Sequence, residues 1–263
     1  MNPSVETNTS KKIEYLSPPA PVSMSDGYFQ IAGTDHFWVQ KRFGVLQQLA
    51  DGIMKDSAEI AEIGCGHGLL QRQVEDEYGK RVTGFDLNEY GLKHNVSRTS
   101  RVCCYDIFQK DDEFRGKFDA ILLFDVLEHI TDEDGFIQAI LYHLAPAGKL
   151  VVSVPAGQWI YSGYDRAAGH VRRYSFGTLR ETTERNRLDV EKWSYWGLPL
   201  LPALMARKVL TASKKDAGEA YSSGFDSRSA LLNSTMGFIS KLEIIPQHLA
   251  GTAVMAILKR RPT

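Results

Sequence analysis

Three glycines at alternate positions, Gly64, Gly66 and Gly68, follow a short apolar run that ends near an acid, Glu62. Because glycine has no Cβ, such a loop can adopt positive φ and let a ligand approach the backbone closely. A helical pattern begins directly after the loop, so its first N–H groups point back toward it. The nicotinamide-dinucleotide fingerprint requires G-x-G-x-x-G, but its sixth position here is Leu69. The spacing therefore disfavours an oxidoreductase.

Further acids follow the next two predicted strands. Asp86 closes the second strand, and Asp106 follows the third. A carboxylate at the first position can accept hydrogen bonds from both ribose hydroxyls, and one at the second can accept from an adenine amino group. Three carboxylates, Glu62 included, also suit the positive charge of a sulfonium. Ligands of open α/β sheets bind at the carboxyl ends of the strands, so the pattern predicts S-adenosylmethionine.

Strand and helix signals alternate through the middle of the chain, which favours a mainly parallel sheet with helices on both faces. A helix is predicted over 132–144, with Thr131 and Asp134 as a capping box. The seven predicted strands are 58–63, 81–86, 100–105, 118–124, 149–154, 188–195 and 252–258.

Composition shifts predict the domain organisation. A ligand-binding domain is interrupted by an insert with its own helices, because the gap is too long for a plain loop. The insert either caps an apolar acceptor pocket, or forms a surface for a membrane or a second subunit, or simply packs on the core. The predicted parts are a disordered tail (1–24), a helical cover (25–54), the binding domain (55–196 and 248–263) and the insert (197–247), with a mobile lid at 214–229.

The overall composition is that of an ordinary soluble enzyme. In 263 residues, 43% are hydrophobic, 24% are charged and the net charge is −1, so no global field indicates a nucleic-acid partner. Cys65, Cys103 and Cys104 have neither disulfide nor metal-type spacing, which favours a reducing cytoplasm. The N-terminus is polar, without a signal-peptide core. The apolar stretch 196–210 is too short and too charged to span a bilayer.

The ordered motifs resemble those of class I S-adenosylmethionine-dependent methyltransferases. The resemblance covers roughly residues 55–195, and it is the succession of motifs that makes it specific. It implies a Rossmann-like, doubly wound α/β sheet of seven strands, mostly parallel with an antiparallel last strand, plus a helical cap. The motifs are Glu62–Gly68, Gly84–Asp86, Asp106–Ile107, Phe118–Ile130 and Leu144–Lys149.

The resemblance also implies a set of cofactor-binding residues. Asp86 would bind the ribose and Asp106 the adenine end, while Phe124 and Asp125 would lie beside the methyl donor. A bacterial branch of the family, often associated with surface-glycan and specialised-metabolite pathways, has similar His-Phe-Trp and Gly-His-x-Arg-Arg-Tyr segments. In that branch, the His-Phe-Trp segment would cover the cofactor. The alternative is that Phe37 and Trp38 of this segment pack in the core. The full implied set is Trp38, Arg42, Glu62, Gly64, Gly66, Asp86, Leu87, Asp106, Ile107, Phe124 and Asp125.

Methyl transfer to a hydroxyl needs a positioned acceptor and a base, typically a histidine or a carboxylate. Two histidines are candidates: His129 after the fourth strand, and His170 in the polar loop 162–174, near Asp165. The same loop carries three candidate acceptor-binding residues, of which the arginines suit phosphate or carboxylate. The alternative is a salt-bridged loop that only supports the following helix. The three candidates are Tyr164, Arg172 and Arg173.

A metal is the less favoured possibility. Asp125, Glu128 and His129 have ligand-capable spacing, and a similar cluster resembles the Mg²⁺ site of some ubiquinone-pathway O-methyltransferases. The leading hypothesis is metal-free O-methylation of a small molecule, such as a sugar, a glycan or a specialised-metabolite hydroxyl. The alternatives are an N- or C-methyltransferase and a non-catalytic methyltransferase-like subunit. Nucleic-acid methylation is disfavoured, because no Asn-Pro-Pro-Tyr-type motif follows the fourth strand.

Overall fold

An eight-stranded sheet forms the centre of the molecule, with strand order β1-β4-β3-β2-β5-β6-β8-β7. The computed structural model describes residues 13–22, 33–211 and 230–262. Among the strands in these ranges, β8 alone runs antiparallel to its neighbours, β6 and β7. The strands are β1 (Glu14–Tyr15), β2 (Ile60–Ile63), β3 (Thr83–Asp86), β4 (Val102–Cys104), β5 (Phe118–Phe124), β6 (Leu144–Pro155), β7 (Leu188–Trp196) and β8 (Ala253–Arg260).

Helices lie between the strands and cover the sheet. α4 begins where Asp132 accepts a hydrogen bond from Gly135 N at 3.0 Å, so Asp132 rather than Thr131 caps this helix. The described helices are α1 (Phe37–Asp56), α2 (Leu69–Tyr78), α3 (Glu89–Lys93), α4 (Glu133–His143), α5 (Gly163–Ala167), α6 (Phe176–Arg185), α7 (Leu201–Thr211) and α8 (Ala230–Lys241).

Both faces of the central strands are buried. β2 has four buried residues in succession, and β5 is buried at every position except Asp119. Such continuous apolar strands are typical of parallel sheets that are covered on both sides. One core joins α4 to one face of the sheet, and a second joins α1 and α2 to the other. These two cores hold the carboxyl ends of β2 to β5 in a rigid frame.

The predicted α/β fold with an antiparallel last strand is confirmed, with one strand more than expected. The extra strand, β1, pairs in parallel with β4, at the sheet edge. Leu16 N and Ser17 N continue this contact to Cys104 O at 2.9 and 3.0 Å. The prediction of a disordered tail is therefore wrong for residues 13–22, because this segment completes the edge of the sheet. Residues 1–12, 23 and 24 lie outside the described part of the chain.

The described part of the insert includes the helices α7 and α8. α8 docks on α1, where Asn233 Oδ1 accepts from Phe37 N at 2.8 Å. Lys41 and Glu243 form a buried ion pair at 3.1 Å across the same contact. The whole of the predicted lid, 214–229, is outside the described residues. Among the described helices, none is long and apolar enough to cross a membrane.

Candidate active site

The glycine loop joins β2 to α2 and requires glycine for steric reasons. Gly64, Gly66 and Gly68 have φ values of 77°, 49° and 76°, in the left-handed region that disfavours other residues. A Cβ on Gly64 would also lie 2.3 Å from Val126 Cγ2. The backbone of this loop therefore packs directly against the side chain of Val126, in the segment after β5.

Asp86 ends β3 and is hydrogen-bonded to the glycine loop. Its two carboxylate oxygens accept from Gly66 N at 2.7 Å and Asn88 N at 2.8 Å. Burial raises the pKa of Asp86, whereas these two N–H groups act to lower it. The two contacts fix the carboxylate at the edge of the sheet where β2 and β3 end. The next residue, Leu87, contacts the segment that follows β1, since its carbonyl accepts from Ala20 N at 3.2 Å.

Glu62 lies under this loop as a buried acid. Burial raises its pKa to about 8, with Asp86 acting in the same direction and Arg42 opposing it. Its Oε2 has no hydrogen-bond partner among the described residues. A buried carboxyl in this condition is stabilised by a nearby cation or hydrogen-bond donor.

Asp106 and Ile107 follow β4, as the motif order predicted. Asp106 is held by the N-terminal segment, because its N–H donates to Ser17 Oγ at 2.8 Å. Its Oδ1 caps a short 3₁₀ turn by accepting from Phe108 N at 3.0 Å. Ile107 is buried in the core. Sequence reasoning missed the contribution of Ser17, because no local pattern indicates that its segment pairs with β4.

Arg42 connects α1 to the end of β5. Its Nη1 lies 2.5 Å from Asp125 Oδ2, and its guanidinium lies 5.3 Å from the centroid of Phe124. Asp125 itself has φ of 54°, a strained conformation for a non-glycine residue. Trp38, one turn earlier, packs on Trp196 with ring centroids 4.4 Å apart. All the candidate cofactor-binding residues therefore come from the carboxyl-end edge of β2 to β5 or from the helix above it.

Asp165 is the centre of the polar loop after β6. One carboxylate oxygen accepts from Arg173 Nε at 2.7 Å and lies 3.1 Å from His170 Nδ1. The other accepts from Ser162 N and Oγ at 2.8 and 3.0 Å. Burial acts to raise the pKa of Asp165, but the hydrogen bonds and the charge of Arg173 bring it below its usual range. Asp165 thereby holds the imidazole of His170 in one orientation.

Two of the three predicted acceptor-binding residues are used within the protein. Arg173 is buried against Asp165 and donates to Ala156 O at 3.1 Å, which is incompatible with direct acceptor contact and corrects that prediction. Arg172 Nη1 lies 2.9 Å from Glu133 Oε2 and is partly exposed. The contacts of these two arginines agree better with a salt-bridged loop that supports the following helix than with a loop that binds the acceptor.

Tyr164 lies at the junction of this loop with the insert. Arg207 of α7 stacks on its ring, with 3.9 Å between the guanidinium carbon and the ring centroid. Burial raises the pKa of Tyr164, and the charges that act on it include Arg207 and Asp125. The contact with Arg207 therefore connects the polar loop to α7. Neither Arg207 nor Glu133 could be assigned from the sequence, because only the tertiary fold brings them to this loop.

Glu128, His129 and His170 form a cluster in which potential donor atoms lie within 4.8 Å of one another. Glu128 and His129 follow β5, and His170 comes from the polar loop. The third member is His170 rather than Asp125, because Asp125 is paired with Arg42. Mg²⁺ prefers an all-oxygen environment, whereas imidazole suits transition metals. The donor set therefore does not fit the Mg²⁺ site that the motif resemblance implied.

The fold and the order of its motifs define the class of the protein as a class I S-adenosylmethionine-dependent methyltransferase. A family model described as "Methyltransferase domain" matches residues 37–209, and the chain belongs to that family. A probable S-adenosylmethionine-dependent methyltransferase of Mycolicibacterium smegmatis is 26% identical over 160 residues, covering 60% of this chain and 61% of that protein.

Other relatives are similar over shorter stretches or in fold alone. A ubiquinone biosynthesis O-methyltransferase of Marinobacter nauticus is 31% identical over 100 residues, which is 35% of this chain. The match spans only 42% of that relative. A methyltransferase structure from Archaeoglobus fulgidus aligns with a TM-score of 0.55 and 18% identity, covering 89% of this chain and 100% of that one. This last likeness supports the fold.

Proposed function

We propose that this enzyme transfers the methyl group of S-adenosylmethionine to a hydroxyl oxygen of a small molecule. The observation that carries the proposal is the convergence of Glu62, Asp86 and the glycine loop at one edge of the sheet. Asp86 binds the ribose hydroxyls, and Asp106 with Ile107 binds the adenine end. Gly64 and Gly66 leave room for the methionine portion. This assigns the cofactor to the edge where β2 to β5 end.

The acceptor enters between the end of β5, the polar loop and α7. Tyr164 and the ion pair of Arg42 with Asp125 are at this opening, next to the position of the methyl donor. The acceptor oxygen forms a bond to the methyl carbon as the carbon–sulfur bond breaks, which leaves S-adenosylhomocysteine as the second product. Positioning of the acceptor is the main contribution of the protein to such a displacement. The proton of the hydroxyl passes to a base.

His170 is the proposed base in the metal-free protein, in preference to His129. Asp165 accepts from His170 Nδ1, which leaves Nε2 as the ring nitrogen able to take a proton. Burial, together with the neighbouring His170, lowers the pKa of His129 to about 4, so a proton there is poorly held. The two rings are in edge contact, with centroids 4.8 Å apart. Replacement of His170 should therefore slow the reaction more than replacement of His129.

The acceptor class is supported by the relatives and by the site. The curated ubiquinone biosynthesis O-methyltransferases match this chain over 42% of their own length, and their names indicate oxygen as the methylated atom. A sugar, a glycan or a specialised-metabolite hydroxyl remains the proposed acceptor. A base next to the acceptor favours O-transfer over the alternative of N-transfer, because a neutral amine can attack without prior loss of a proton. Full turnover in a His170→Ala variant would favour the alternative.

Calorimetric titration with S-adenosylhomocysteine tests the cofactor assignment. We expect micromolar affinity for the wild type and a loss of about 10-fold or more in Asp86→Ala, because each hydrogen bond to a charged group contributes about 1.5–3 kcal/mol. Asp76→Ala removes an exposed acid of α2 that pairs with Arg72 and Arg98, and this control should bind normally. Absence of binding to the wild type, or equal binding by Asp86→Ala, would refute the proposal.

A further inference from the structure

The cluster of Glu128, His129 and His170 contains a buried carboxylate that accepts no hydrogen bond within the described part of the chain. Glu128 is fully buried, and neither of its oxygens has a hydrogen-bond partner among the described residues. The closest ring nitrogen, His170 Nε2, is 3.9 Å from its Oε1. Isolating an acid in this way costs free energy unless a cation or a donor occupies the space beside it. The unpaired carboxylate is an observation independent of the spacing of the cluster.

Both imidazoles are oriented through their Nδ1 atoms. His170 Nδ1 is 3.1 Å from Asp165 Oδ1, and His129 Nδ1 is 3.2 Å from Gly169 O. Each contact selects the tautomer with the proton on Nδ1, so that Nε2 presents its lone pair. A carboxylate or a backbone carbonyl behind a histidine is the arrangement that orients metal-ligating imidazoles in proteins. The two histidines thus have the outer hydrogen bonds that ligands need.

We propose that Glu128, His129 and His170 bind a first-row transition-metal dication, such as Zn²⁺ or Co²⁺, in place of the Mg²⁺ expected from the resemblance. Two imidazoles and one carboxylate are a donor set that suits such cations. A protein site with three ligands leaves coordination positions for a water or a substrate atom. Metal binding can be measured without cofactor or acceptor, so the inference does not depend on the proposed function.

Asp125 distinguishes the proposed metal site from the one implied by motif spacing, because Asp125 is a ligand only in the latter. It is the third residue before Glu128, but its carboxylate is directed to Arg42 at 2.5 Å. An arginine that neutralises an acid makes that acid a poor metal ligand. His170, which is 42 residues later in the chain than Glu128, takes its place because the polar loop folds over the end of β5. The contact between Val171 N and Glu128 O at 2.9 Å fixes this loop on the cluster.

A bound dication would act as a Lewis acid that lowers the pKa of a coordinated hydroxyl. His170 would then be a ligand, and its role would be to hold the metal rather than to accept the proton. Glu128 would keep its negative charge despite its burial, since the cation supplies the missing partner. Asp165 would continue to orient His170 in either case.

Titration of untagged protein with CoCl₂ tests the proposal, with calorimetry and the visible absorption of nitrogen-bound Co²⁺ as readouts. We expect one Co²⁺ per chain. Affinity should fall at least 10-fold in Glu128→Gln and in His170→Ala. Asp165→Asn should bind Co²⁺ about 10–100-fold more weakly than the wild type, as is usual when a hydrogen-bond partner of a metal ligand is removed. His94→Ala, which removes an imidazole bonded to Tyr90 O outside the cluster, is the matched control and should bind like the wild type.

Several outcomes would overturn the proposal. These are absence of Co²⁺ and Zn²⁺ binding to the wild type, unchanged affinity in His170→Ala, and tighter binding of MgCl₂ than of CoCl₂. Loss of binding in Asp125→Asn with normal binding in His170→Ala would assign the metal to the site that motif spacing implies. Circular dichroism of each variant shows whether it is folded. A separate S-adenosylhomocysteine titration distinguishes failure of this site from failure of the proposed function.

Discussion

Replacement of Asp165 by asparagine should destabilise the protein strongly, although the two side chains have nearly the same shape. Asp165 is fully buried and receives hydrogen bonds from Ser162, His170 and Arg173. An amide group turns one acceptor oxygen into a donor, so two donors on that side lose their partner. At about 1–3 kcal/mol for each, the cost is roughly 2–6 kcal/mol. The loss of one member of a buried ion pair gives a similar figure, about 3–5 kcal/mol.

The same residue predicts a dependence of stability on pH. The pKa of Asp165 is lower in the folded protein than the value of about 3.9 expected in the unfolded chain. The unfolded state therefore binds the proton more readily. The stabilisation is fully present above about pH 4 and is lost as the pH falls further toward the folded-state pKa. The difference in unfolding free energy between wild type and Asp165→Asn should accordingly be largest at neutral pH and should shrink at pH 3.

Urea unfolding followed by circular dichroism at pH 7 and pH 3 measures both effects. Asp76→Asn is the control, since its exposed ion pairs are worth at most about 1 kcal/mol. The double variant Asp165→Leu with Arg173→Met should be more stable than Asp165→Leu alone, because it leaves no unpaired buried charge, although Ser162 and His170 still lack their acceptor. A cost below 1 kcal/mol for Asp165→Asn, or a cost that does not change with pH, would refute the assignment of Asp165 as the centre of the loop.

Two further predictions concern the glycine loop and the acid beneath it. Gly64→Ala should abolish S-adenosylhomocysteine binding, because the new Cβ would collide with Val126, and the second change Val126→Ala should restore part of the binding. Gly79→Ala is the control and should bind normally, because Gly79 also has positive φ but a Cβ there would meet no atom within 4 Å. For Glu62, the raised pKa of about 8 means that the folded state holds a proton that the unfolded state releases. The ligand-free wild type should therefore lose stability between about pH 4.5 and 8, by roughly a few kcal/mol. Glu62→Gln should show a flatter profile in urea unfolding, and identical profiles would contradict the burial of a titrating acid.

The succession of strands along the chain and the position of the acids could be predicted because they follow from local patterns and one rule of topology. Continuous apolar runs identified β2, β5 and β6, and a parallel sheet places all their carboxyl ends at the same edge. Asp86 therefore had to lie beside the glycine loop. β1 escaped prediction because two residues are too few for any periodic signal. Its pairing depends on a distant partner, β4, and not on its own sequence.

The pairings among charged side chains could not be predicted in this way. Arg42 and Asp125 are 83 residues apart, and Arg173 is adjacent in sequence to Arg172 although the two have different partners. Which carboxylate an arginine meets depends on how loops fold over the sheet, and several partners are compatible with one sequence. The burial of Arg173 shows the consequence, since a residue type suited to anion binding is used to fix Asp165.

The tertiary structure restricts the possible chemical roles most strongly at His170. From the sequence, His129 and His170 were equivalent candidates for a base, and Asp125 was the expected companion of Glu128. In the fold, Asp165 orients His170, Arg42 engages Asp125, and the unpaired Glu128 is 3.9 Å from His170 Nε2. A base and a metal ligand both need this same oriented lone pair. The two proposed roles of His170 are therefore alternatives that depend on whether the space beside Glu128 is occupied by a cation, and the Co²⁺ titration decides between them.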